Sequence, residues 1–94
     1  GSPAEQAAVR RDFAVAAAWA KLEGRPVFLG EFGTCSGVED LAARVRWTNF
    51  IAREAEAHGF KWAYWEYQAN FGLWDPQAQA WRRPLLEALL PPAK

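Results

Sequence analysis

Apolar and polar positions change period five times along this chain. Across "PAEQAAVRRDFAVAAAWAKLEG", Val9, Phe13, Ala16, Ala17 and Ala20 recur at helical spacing in an alanine-rich background, and Gly24 suits the residue just past a helix end. "PVFLGEF" is apolar on both alternate sets, as expected of a parallel strand covered on both faces. "TCSGVEDLAARVRWTNFIAREAEAHGF" returns to the helical period, with Leu41, Val45, Thr48, Ala52 and Ala55 as its stripe. Ser36 and Glu39 have the spacing of a capping box, and Gly59 stops the helix. "FKWAYWEY" is a second, aromatic strand. "QANFGLWDPQAQAWRR" contains Gly72 and the turn pair Asp75-Pro76 and is expected to be a loop. Pro84 opens a short last helix, "PLLEALL", closed by Pro91-Pro92.

The predicted order is therefore α-β-α-β-α. Helices alternating with strands define βα units and a parallel sheet, so the fold class is α/β. Two parallel strands cannot cover their own apolar faces. The expectation is one incomplete domain over residues 1–94.

Composition supports an ordered chain: 94 residues are 51% hydrophobic and 15% aromatic, with six tryptophans. Eleven basic and eleven acidic residues cancel, and no basic stripe favours nucleic acid. No apolar run approaches the roughly 20 residues that span a bilayer, so no membrane partner is expected. Cys35 is the only cysteine and His58 the only histidine, which argues against a structural zinc site. Gly1-Ser2 is the kind of pair that a cloning junction leaves, and it receives no structural role.

In βα folds, functional residues gather at the carboxyl ends of strands. That rule selects Glu31 at the tip of the first strand, Trp65 at the end of the second, and the "NFGLWD" loop that follows. Strict alternation from Glu31 puts Val27 and Leu29 on its face, and groups Lys61, Ala63 and Trp65 in the second strand. Trp62, Tyr64 and Glu66 form the opposite, helix-packed set. A carboxylate beside an indole suits a sugar: indoles stack on the apolar faces of pyranose rings, and a carboxylate can attack an anomeric carbon. The bland alternatives are an exposed loop acid for Glu31 and core packing for Trp65. Phe71 and Trp74 either line the cleft or plug the end of the sheet. Cys35 lacks a local base and reads as inert; His58 reads as a helix-end cation and Trp47 as packing.

"RPVFLGEFG", "GFKWAYWEY" and "FGLWD" together resemble the C-terminal portion of glycoside hydrolase family 5, in particular its bacterial endoglucanases, from about Asp12 to Pro91. The resemblance implies part of a (β/α)8 TIM barrel, from helix six through helix eight. It implies that Glu31 is the catalytic nucleophile and that Trp65 floors the sugar subsite at the cleavage point; Phe71 and Trp74 stand as further substrate-binding candidates by their loop position alone. It also implies a secreted parent enzyme acting on β-1,4-glucan without a metal or organic cofactor.

The departure lies in what this chain lacks. The family's general acid/base sits in an Asn-Glu motif, and here Asn49 and Asn70 are each followed by Phe. A retaining glycosidase needs two carboxyl groups about 5–5.5 Å apart. One is present, so the chain alone is expected to be inactive. A barrel takes roughly 250 residues, so its partner is expected to be either a missing N-terminal barrel portion or further copies of itself, for example four chains supplying eight strands. A non-catalytic carbohydrate-binding piece is the competing reading.

Overall fold

The computed structural model describes residues 2–34, 40–66 and 72–92. It contains the predicted alternation plus one addition: α1 (Pro3–Glu23), β1 (Phe28–Phe32), α2 (Leu41–Ala57), β2 (Lys61–Tyr64), β3 (Trp74–Asp75), β4 (Ala80–Trp81) and α3 (Arg83–Leu89). β1 and β2 pair in parallel, and β3 and β4 pair antiparallel as a separate small ribbon.

Helix ends follow local chemistry. Ser2 caps α1: its Oγ accepts from the Glu5 amide at 3.2 Å and donates to Glu5 Oε1 at 3.0 Å. A residue given no role in the sequence thus satisfies one of the orphan donors of the first turn. At the other end Gly24 adopts φ 65°, and its amide closes on the Ala20 carbonyl, as expected of a left-handed helix stop. The Ser36–Glu39 capping box lies outside the described residues. The cap of α2 is Asp40, whose Oδ1 accepts from the Ala43 amide at 2.7 Å.

The segment expected to be a loop folds as a hairpin. Asp75 Oδ1 accepts from the amides of Gln77 and Ala78 at 3.0 and 3.1 Å, and Gln79 takes φ 52°. This turn reverses the chain so that Trp74 and Trp81 meet edge to face at 5.1 Å. Arg82 Nη1 holds the base by donating to the carbonyls of Gly72 and Trp74. The alternation is too short to read in sequence because each strand is only two residues long.

The core lies where α2, α3 and the start of β2 meet. Ile51, Ala52, Ala55, Phe60, Leu85, Ala88 and Leu89 are buried there with Thr48. Arg53 joins two elements: its guanidinium donates to the Ala88 and Leu89 carbonyls at the end of α3 and binds Glu56 bidentately. α1 packs on this core along the predicted stripe and its first turns, with no residue fully buried. Its attachments are Phe13 against Phe60 and His58, and Arg10, which bonds Glu54 at 3.0 Å and lies over the Phe50 ring. Val15, Trp19 and Leu22 on its far side are exposed. The radius of gyration is 14.3 Å, against about 12 Å for a compact chain of this length.

Candidate functional site

The β1–β2 pair fixes which side chains share a face. Phe28 lies opposite Lys61, and Leu29 opposite Trp62; then the register slips, and Phe32 lies opposite Tyr64. Three steps along β1 match two along β2, so one residue is extra between Leu29 and Phe32. The bulge breaks strict alternation. Val27, Leu29 and Phe32 turn toward the helix-covered side, where Phe32 packs edge to face on Trp62 and Tyr64. Trp62 there donates to Glu56 of α2. Phe28, Gly30 and Glu31 are exposed on the other side. The expectation that Val27 and Leu29 share the face of Glu31 is therefore corrected. Glu31 reaches the open face because the bulge re-aims it.

Trp65 arrives on that face from β2. Its amide donates to the Phe32 carbonyl at 2.8 Å, which extends the parallel pairing past the end of the strand. The following peptide, Trp65–Glu66, is cis. Glu31, Phe32, Gly33 and Trp65 line one open depression of about 350 Å³ at the carboxyl ends of the two strands. Trp65 is 51% exposed, and Glu31 is exposed beside it. Such an indole face and an adjacent carboxylate can hold a pyranose ring and present an oxygen nucleophile to it. Among the described lining residues there is one carboxylate, Glu31.

The loop after Glu31 is held from behind by a residue the sequence reading did not single out. Arg44 is only 3% exposed. Its Nε donates to Thr34 Oγ1 at 3.0 Å and its Nη2 to the Thr34 carbonyl at 3.2 Å. Thr34, three residues beyond Glu31, is itself buried. The signal in sequence is slight: Arg44 stands four residues before Thr48 on the buried face of α2, where an apolar residue is expected.

Of the other candidates, Trp74 is half-buried in the hairpin against Trp81, and Phe71 and Cys35 lie outside the described residues. Trp47 stacks on Phe50, as a packing residue does. His58 ends α2, with Nδ1 2.8 Å from the Glu54 carbonyl. Among the described residues no group of three or more His, Cys, Asp or Glu side chains could hold a metal ion, and no helix is long and apolar enough to cross a membrane.

A parallel βα arrangement that brings a carboxylate and an indole together at its strand ends defines an α/β protein with a site at the rim of its sheet. Comparison with protein families narrows this: the model for cellulase, glycosyl hydrolase family 5, matches residues 2–71. The chain belongs to that family. Comparison with curated proteins found no match. Among solved structures, the chain is similar to a hyperthermophilic endo-beta-1,4-glucanase in complex with substrate, at 42% identity and TM-score 0.87 over 96% of this chain and 29% of that one. It is similar to Thermotoga maritima Cel5A in complex with cellobiose, at 39% identity and TM-score 0.86, covering 95% and 29%. It is also similar to the cellulose synthase subunit Z of Clostridioides difficile, at 31% identity and TM-score 0.87, covering 96% and 30%. The chain thus spans less than a third of the length of these structures.

Proposed function

We propose that this chain is the C-terminal part of a retaining, secreted β-1,4-glucan hydrolase with a (β/α)8 barrel, contributing helix six through helix eight. Glu31 is its nucleophile and Trp65 the floor of the sugar subsite at the bond to be cut, with Phe71 and Trp74 as further contacts. The observation that carries the reading is the meeting of Glu31 and Trp65 in one depression at the ends of adjacent parallel strands. Family membership and the similarity to an endoglucanase solved with cellobiose support the substrate class.

In this mechanism the ionised Glu31 attacks the anomeric carbon from one face of the ring while a second carboxyl group protonates the departing glycosidic oxygen. Water then hydrolyses the glycosyl-enzyme ester, and the second group acts as base. That second group is a residue of the remaining barrel, so the isolated chain binds without turning over. A chimera tests this: residues 12–91 replace the matching segment of Thermotoga maritima Cel5A. The chimera is expected to cleave β-1,4-glucan, and Glu31→Ala to lower kcat by at least about a thousandfold. Azide is expected to restore turnover of an activated cellobioside as the α-glycosyl azide. An active Glu31→Ala chimera would sink the nucleophile assignment.

The strand edges favour a second, compatible reading. The β1–β2 sheet has two strands, and Phe28 is 63% exposed on its open face. Copies of the chain closing on these edges form a homo-oligomer, four chains supplying eight parallel strands. Repeated Glu31 carboxylates in such a ring recur on alternate strands and serve binding, not cleavage.

A further inference from the structure

A second concavity lies on the same carboxyl-end side of the sheet, between the first turn of α2 and the β3–β4 hairpin. Its volume is about 510 Å³, within the range of small-ligand pockets and larger than the depression at Glu31. Two large apolar side chains stand at its walls and remain open: Trp81 is 41% exposed and Leu41 43%. Polar groups surround them. Arg44 reaches the cavity from a buried position fixed by Thr34. Asp75 and Arg83 stand at its margin.

We propose that this concavity is a second saccharide-binding site, distinct from the Glu31–Trp65 depression, which takes a neutral gluco-oligosaccharide. Trp81 is the stacking platform. It meets Trp74 edge to face at 5.1 Å, which fixes the plane of the indole before a sugar arrives. The polar margin suits hydroxyls, which donate and accept at once: Arg83 offers donors and Asp75 an acceptor. Many of the guanidinium donors at the wall are already used within the protein. Arg44 donates to Thr34, Arg82 to two carbonyls of the hairpin, and Arg83 faces Glu87 at 3.8 Å. A uronate would need paired free guanidinium N–H groups for its carboxylate, so this use of donors suits single hydroxyl contacts better. The Arg44–Thr34 link joins the wall of this site to the residue three positions beyond Glu31.

The test is an NMR titration of the whole chain with cellotetraose, following the tryptophan indole N–H groups and leucine methyls. The Trp81 indole and Leu41 methyls are expected to shift saturably, and to do so equally in Trp65→Ala. Trp81→Ala is expected to weaken this binding by about tenfold. Arg83→Ala, which leaves the paired indoles in place, is expected to weaken it by a few-fold. Silent Trp81 and Leu41 signals, or shifts that vanish with Trp65→Ala, overturn the second site. Response only to a uronate-bearing oligosaccharide overturns its assignment to neutral glycans. Loss of the Trp65 response alone counts against the proposed function and leaves the second site standing.

Discussion

Arg44 and Thr34 show how single residues support the site without touching a sugar. A guanidinium buried this deeply is retained only where its donors are used, and two of them hold one residue of the loop after Glu31. Arg44→Ala removes both bonds and leaves a buried hydroxyl and carbonyl without these donors. It is expected to cost about 2–3 kcal/mol, read as a lower midpoint of urea unfolding. Thr34→Val removes one bond and is expected to cost about 1 kcal/mol. In the double variant the losses should fall short of their sum, because the pair shares a contact. At Trp65 the prediction concerns binding: Trp65→Ala is expected to abolish the response of the Glu31 depression to cellotetraose, whereas Glu31→Gln, isosteric and uncharged, leaves it nearly intact. NMR titration of both variants, followed at the Gly33 amide of that depression, decides between a stacking platform and a packing residue.

Among the elements, α3 depends most on a neighbour. It has seven residues, too few for an independent helix, and its end carbonyls are satisfied from α2 by Arg53. Arg53→Ala is expected to cost about 1–2 kcal/mol and to speed amide hydrogen exchange in α3 ahead of α2. Leu85→Ala removes the largest fully buried side chain at the same junction and is expected to cost about 2–5 kcal/mol. α1 is the contrasting case. Its long stripe of alanines, with Ser2 and Gly24 at its ends, makes it helical by local preference, while its packing on α2 is thin. The first and last helices therefore owe their existence to opposite causes, one local and one tertiary.

Among the described residues the molecule is an open α/β unit whose parallel sheet is one strand pair. Exposed Phe28, Trp19 and Leu22 on an elongated outline leave apolar surface of the kind that marks an interaction site. Light scattering after size exclusion is expected to give a mass that is a multiple of 10.6 kDa. A monomer that stays compact on dilution argues that the open edges need no second copy, and points instead to a separate barrel portion as the partner.

The sequence by itself determined the order of the main helices and strands, the helix stop at Gly24, the half-buried stripe of α1, and the placing of Glu31 and Trp65 at strand ends. Each follows from period, propensity or a turn residue within a few positions. It also determined the family, through motifs that lie close together along the chain. The tertiary structure decided three other matters. The bulge in β1 turned Glu31 away from the face of Val27 and Leu29, because register depends on the partner strand. The meeting of Trp74 and Trp81 made a hairpin of an apparent loop, because two-residue strands carry no readable period. Burial made Arg44 an internal anchor, because only packing shows which polar side chain has a buried acceptor waiting for it.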